Sequence, residues 1–476
     1  MAFAVPVVAA TLLRARFLTA PLTVDEGGYL AVARAWGRGS HLYDEVWVDR
    51  PQGLLVLYRS LHAVGIGTPL GVRLAGLVAC IVAALACGHI AARLVGERAR
   101  LVTGLVVAVV ASLPHIEGHT ANAELLSASL GAASLALCLE ACHRAIGRSR
   151  WLLAAGVVGG AALTVKQSAF DALGAAFVAV VLVGLAGTTR RQRVRAGGLL
   201  AMGAALPIGL CAVHGALTGW QRWWYAVAGY RLSQRSALVD AHFDRIGVVW
   251  EVVRPASIVL AAVVVVGLVC GLTASSASRR ATAVLAAWGA IALVAFVLGG
   301  QFFRHYWTIL AIPAATAAGA TIGAVRTQLG RVVLVGAVLA GPVVVAIDAM
   351  SLPRGEIGPR LHDDVRLVQS EQVAQWFTDE AQPGDELYVM CVSAAVYGNG
   401  DIDPPYPYLW WDGVRQIPGA GDLLAAMLDD AGRPRFLAVF QTPESCDPSG
   451  RVDELVRQHY ARRTVVDGVA ILEVRP

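Results

Sequence analysis

Apolar runs of about 18 residues, each long enough to cross the hydrocarbon core of a bilayer as a helix, recur through the first 350 positions of the chain. The pattern predicts about eleven transmembrane helices, near 3–20, 70–92, 101–114, 121–142, 151–165, 169–187, 197–218, 250–273, 282–300, 306–325 and 332–350. Short basic turns separate alternate spans: Arg93 to Arg100, Arg144 to Arg150, Arg190 to Arg195, Arg279-Arg280 and Arg326 to Arg331. Arg-rich turns stay in the cytoplasm. Residues 21–69, 115–120, 166–168, 219–249, 301–305 and everything after 350 then fall on the opposite side. Three outer stretches, 26–38, 51–64 and 220–235, have helical spacing but are too short or too polar to span, as interfacial helices are; Pro51 suits the first position of the second. Beyond residue 351 the pattern changes. Short strand-like runs (ELYVMCV, RFLAVFQ, GVAILEV) alternate with helical ones, which predicts a small α/β domain over 351–476 after a transmembrane domain over 1–350. The stretch 399–412 reads as a surface loop rich in aromatics.

Composition agrees. Hydrophobic residues make up 56% of the chain and charged ones only 15%, against about 25% charged in soluble domains, and the mean hydropathy is +0.59. The formal charge of +5 is spread along loops, which marks topology and not nucleic-acid binding. Six of the eight cysteines sit in apolar runs; Cys391 and Cys446 fall in the C-terminal domain and can pair if it is extracytoplasmic. No zinc-type spacing occurs, so no metal is expected. The first span, lacking a basic lead-in and a convincing cleavage site, reads as an uncleaved helix.

Acidic residues are scarce, so those beside spans carry information. Asp25-Glu26 follows the first span; Thr23-x-x-Glu26 forms a capping box by spacing, and either carboxylate at the membrane surface can also serve as a general base. Asp44, Glu45, Asp49 and Arg50 precede the second interfacial helix, where a solvated loop with local ion pairs is the plain alternative. Glu117 and Glu124 flank the next outer turn, and Glu124, one turn into a membrane helix, is costly there unless used. Lys166 is the only lysine in the chain. At the outer end of a span it either snorkels or fills a site that needs a compact ammonium. Arg304 and His305, in Phe302-Phe303-Arg304-His305-Tyr306, mark another outer end. Carboxylates for a base and cations for a phosphate thus share one membrane face.

These features in this order resemble the GT-C superfamily: Asp-Glu after the first span, Tyr43-x(5)-Asp49-x-Pro51, an acid in the second outer loop, a Gly/Ala-rich run ending in Lys166, and Arg304-His305-Tyr306. Within it the sequence is similar to the branch that contains protein O-mannosyltransferases and the lipid A aminoarabinose transferase. The resemblance covers most of the chain and implies a polyprenyl-phosphate-sugar-dependent glycosyltransferase. It implies catalytic roles for Asp25, Glu26 and Glu124, and lipid-phosphate contacts for Arg50, Lys166, Arg304 and His305. Arg50 stands where many members have Lys before two prolines, and the second proline is missing here. No cofactor is implied, because the lipid-linked sugar is a substrate and fixed cations can absorb the charge on its leaving phosphate. The absence of a Gly-rich phosphate loop argues against a nucleotide-sugar enzyme.

The resemblance implies transfer on the outer face of the cytoplasmic membrane, with inversion, to an acceptor hydroxyl on a glycan, glycolipid or protein. The preference for Arg over Lys and the Ala/Val/Gly richness suit a GC-rich bacterium, where mannose or arabinofuranose on a polyprenyl phosphate is a natural donor. Two other readings stand beside this one. A lipid or glycolipid flippase accounts for the spans and intramembrane charges, but no internal repeat is evident. A non-catalytic glycolipid-binding protein of the same fold is the other.

Overall fold

A computed structural model of the chain describes residues 3–144, 146–183, 189–233 and 243–476. The expected stretches at residues 145, 184–187 and 234–242 lie outside the described residues. Each of the eleven expected spans coincides with a helix: α1 Ala4–Ala15, α4 Pro69–Val95, α5 Arg98–Val110, α6 Ala123–His143, α7 Arg148–Val165, α8 Asp171–Leu182, α9 Arg190–Thr218, α10 Phe243–Thr273, α11 Ser276–Gly299, α12 Thr308–Ala324 and α13 Gln328–Ser351. Among the described residues, seven helices are long and apolar enough to cross a membrane, while α1 and α8 are shorter apolar ones. The most apolar window of α6 is 78% buried and that of α10 only 17%. The first is therefore central and the second lies at the periphery of the bundle. An acid inside this bundle, Asp171, has a structural partner: its carboxylate accepts from Trp288 Nε1 at 2.7 Å, joining α8 to α11.

Two helices bridge the first pair of spans, α2 Val24–Arg38 and α3 Gln52–Ala63. Pro51 is the cap of α3, one residue before the position expected. α2 departs further from the amphipathic pattern: Glu26 to Ala35 are buried without a break. The cause is the C-terminal region. A Cβ on Gly27 would stand 2.4 Å from Ala395 Cα, and one on Gly28 2.4 Å from Trp410. These glycines let the C-terminal chain lie on α2, and Arg34 Nη1 meets Asp401 Oδ1 at 2.5 Å beside them.

The C-terminal region holds α14 Arg366–Glu380, α15 Ala395–Gly400, α16 Trp411–Gln416, α17 Ala420–Asp429 and α18 Arg451–His459. They pack on a sheet of β1 Leu387–Val389, β2 Phe436–Val439, β3 Tyr460–Val466 and β4 Val469–Val474, in the order β1-β2-β4-β3. β1 and β2 run parallel; the β2/β4 and β3/β4 pairs are antiparallel. β3 is an addition to the three expected strands. Its Arg462-Arg463 pair and exposed face mask the strand signal, and Asp467-Gly468, both at positive φ, make the tight turn back into β4. Cys391 and Cys446 form a disulfide. The stretch 399–412 departs from a surface loop: Tyr406 and Leu409 are buried, and the segment packs against α2.

Candidate active site

The capping box at the start of α2 divides the labour between adjacent carboxylates. Glu26 Oε2 accepts from Thr23 N at 3.1 Å, while Thr23 Oγ1 accepts from Glu26 N at 3.2 Å. Glu26 Oε1 accepts from Ala121 N at 2.8 Å, and Oε2 also pairs with Arg73 at 3.1 Å. It is fully buried and lines neither of the cavities described below. Glu26 is thus a structural tie, a correction to its expected catalytic place.

One residue earlier on the helical turn, Asp25 points elsewhere and lines two cavities at once. Its Oδ1 accepts from Trp410 Nε1 at 3.0 Å. Asp25 sits on a helix between spans, and burial raises its pKa above the ordinary aspartate range despite the opposing fields of His305 and Arg50.

The smaller cavity, about 120 Å³, is lined by Asp25, Tyr29, Asp49, Arg50, Arg231 and His305, with Trp47, Tyr230, Phe303, Trp410, Asp412 and Gly413 completing it. Asp49 holds the two arginines together. It meets Arg50 Nη1 at 2.8 Å and is paired with Arg231 as well. Burial would raise the Asp49 pKa, but Arg231 and Arg50 outweigh it and hold the carboxyl below its usual range. Two guanidiniums against one carboxylate leave a positive charge in excess on this side of the cavity, across from Asp25 and Asp412, and Arg50 Nε is buried without a hydrogen-bond partner among the described residues.

The larger cavity, about 350 Å³, shares Asp25, Phe303, His305, Trp410 and Asp412 with the first. It adds Glu117, Arg245 and His362, and from the C-terminal region Asp364, Arg366, Ser393 and Trp411. Glu117, at a positive φ of 54°, accepts from His305 Nδ1 at 2.9 Å and stands 3.5 Å from His362 Nδ1. Burial alone would raise the Glu117 pKa; the two histidines bring it well below the usual carboxylate range.

The other expected residues divide. His305 lines both cavities and stands between Glu117 and Glu124, 3.8 Å from the latter. Lys166 and Glu124 form a buried ion pair, and Lys166 Nζ lies 3.6 Å from the centre of the Tyr306 ring. This pair lines neither cavity and sits behind His305. Arg304 turns away, donating to the Leu361 carbonyl at 3.0 Å. It ties the C-terminal chain down instead of reaching the cavities, a second correction. Arg231, Trp410 and His362 were not singled out from sequence. Arg231 directly follows Tyr230 in the aromatic run after residue 220, and Trp410 lies in the aromatic 399–412 stretch; His362 carries no comparable signal. The chain also contains one D-x-D spacing, Asp401-Ile402-Asp403, but Arg34 and Arg38 occupy both carboxylates.

No protein-family model and no curated protein matches the sequence. Solved structures do match. ArnT from Cupriavidus metallidurans, bound to undecaprenyl phosphate, superposes with a TM-score of 0.64 at 13% identity, over 98% of this chain and 96% of that one. The Archaeoglobus fulgidus oligosaccharyltransferase, in complex with Zn and sulfate, gives 0.60 at 12% identity, over 97% of this chain and 71% of that one. The archaeal oligosaccharyltransferase AglB from the same organism, with an inhibitory peptide and a dolichol-phosphate, gives 0.57 at 11% identity, over 96% and 72%. The chain has the GT-C fold. No group of three His, Cys, Asp or Glu among the described residues is arranged to hold a metal ion. Glu117 and Glu124, whose fields act on Asp25, are already committed to His305, His362 and Lys166.

Proposed function

We propose that this GT-C chain is an inverting glycosyltransferase that moves a sugar from a polyprenyl-phosphate donor to an acceptor hydroxyl on the outer face of the cytoplasmic membrane. The observation that carries the reading is the place of Asp25, a carboxylate at the junction of the cavity that holds Arg50 and Arg231 and a wider one. The lipid ligands of the ArnT and AglB structures, undecaprenyl phosphate and dolichol-phosphate, are of the donor's class.

In this reading the donor phosphate occupies the smaller cavity against Arg50 and Arg231, and the acceptor enters from the wider one. The acceptor oxygen attacks the anomeric carbon, Asp25 takes its proton, and the carbon–oxygen bond to the phosphate breaks with the electron pair leaving on the phosphate. The arginines face the charge that grows there. A burial-raised pKa keeps the Asp25 carboxylate a stronger proton acceptor than a solvated one. Attack opposite the leaving group inverts the anomeric centre. His305, held by Glu117, keeps the wall between the cavities in register, and Glu124 with Lys166 supports it from behind.

All eleven apolar helices cross the bilayer in this account, residues 1–350 form the membrane domain, and residues 351–476 lie outside the cytoplasm. The arginine turns and the Cys391–Cys446 disulfide support that orientation. Mannose or arabinofuranose is the proposed sugar, on the strength of the GC-rich bias. Purified chain in detergent, supplied with polyprenyl-phosphate mannose or polyprenyl-phosphate arabinofuranose and short glycan acceptors, tests this: glycosidic product and free polyprenyl phosphate should appear together for one of them. A chain that retains polyprenyl phosphate but yields no product with any acceptor favours the non-catalytic reading, and one that moves the lipid across vesicles without cleaving it favours a flippase.

A further inference from the structure

At the end of the bundle opposite Asp25 lies an open groove of about 880 Å³ between α4, α5, α6 and the start of α7. Glu124 near the candidate site and Glu140 in the groove are both on α6, sixteen residues apart, which is about 24 Å along the helix. The two sites are separate. The arginine turns place the groove at the cytoplasmic surface.

The groove has two zones. Val82, Leu85, Ala86, Ala133, Ala136 and Leu137 make an apolar wall. Above it Arg93, Arg100 and Arg144, with His89 and Trp151, face Glu97 and Glu140. Glu140 meets Arg93 at 2.6 Å, Arg144 at 2.7 Å and His89 at 3.1 Å. Arg100 donates to Glu97 at 2.7 Å and reaches His89 Nδ1 at 3.0 Å. Three arginines against two carboxylates leave one positive charge in excess with His89 neutral. Two buried donors here, Arg93 Nε and Trp151 Nε1, find no acceptor among the described residues. Buried donors of this kind are costly when left unpaired.

We infer that this groove is a binding site for an anionic glycerophospholipid, its phosphate held by Arg93, Arg144 and Trp151 and an acyl chain laid on the apolar wall. The excess charge calls for an anion, and the unpaired donors call for acceptor oxygens. The apolar wall calls for a hydrocarbon tail at the same place. A cationic cleft between helices at the cytoplasmic surface suits acidic headgroups, and a free phosphate would leave the wall uncovered.

Native mass spectrometry of the full chain in a non-ionic detergent tests the assignment, with phosphatidylglycerol, phosphatidylcholine and inorganic phosphate as probes. The groove should retain one phosphatidylglycerol at least fivefold better than phosphatidylcholine, and excess inorganic phosphate should not displace it. R93Q/R144Q should lower that retention at least tenfold. Because the double variant frees Glu140 and can unfold, Ala133→Phe serves beside it. That change fills the wall, leaves the charges intact, and should also expel the lipid. Equal retention of the two lipids, displacement by phosphate alone, or undiminished retention in folded Ala133→Phe would each overturn the inference.

Discussion

Asp25 and Glu26 are neighbours with the same functional group, and their surroundings give them opposite roles. Four contacts occupy Glu26, whereas Asp25 faces two cavities with one indole on it. Glu26→Gln should therefore act mainly on folding, at a cost of about 3–5 kcal/mol for breaking a buried ion pair, measurable as a lower melting temperature in detergent. The raised pKa of Asp25 has a defined sign: transfer needs the carboxylate, so activity falls as pH drops through that pKa. The acid limb of kcat/KM should lie above the range of an ordinary aspartate, and a limb near pH 4 or below would contradict the assignment. Arg50→Gln or Arg231→Gln removes a charge-assisted contact to the donor phosphate, a loss of about 1.5–3 kcal/mol, and should raise the donor KM by roughly tenfold or more. The sequence showed Asp25, Arg50 and His305 because charge is rare beside a span. It could not separate Asp25 from Glu26, nor foresee that Arg304 bonds the Leu361 carbonyl, because those outcomes depend on partners distant in the chain: Ala121, 95 residues from Glu26, and Leu361, 57 residues from Arg304.

At the scale of elements, hydropathy alone locates the eleven apolar helices, since a run of apolar residues long enough for a bilayer satisfies its backbone most readily as a helix. α2 is the instructive departure. Its polar residues suggested an interface with water, yet they meet the C-terminal chain, and only the adjacent glycines hint at so close an approach. Gly27→Val should push α15 off α2, cost about 1–3 kcal/mol by overpacking, and lower transfer by displacing Trp410 from Asp25. Circular dichroism melting and an activity assay on the same sample would check both parts. β3 escaped notice for a local reason, since an edge strand with two arginines on an exposed face lacks the apolar alternation by which strands are recognised.

Over the whole molecule, the candidate site belongs to neither part of the chain alone. The segments between the apolar helices supply Asp25, Arg50, Arg231 and His305, and the C-terminal region supplies Trp410, Asp412, Asp364 and His362. The Cys391–Cys446 disulfide, which closes a separation of 55 residues, braces the second contribution. Replacing both cysteines by serine should cost about 2–4 kcal/mol and make the wild-type melting temperature sensitive to reductant where the variant's is not. Asp25→Asn tests the central claim most directly, with transfer and donor retention measured on one preparation. Sugar transfer should fall by at least a thousandfold while polyprenyl-phosphate retention stays at the wild-type level. Transfer that persists in Asp25→Asn with donor bound would contradict the account.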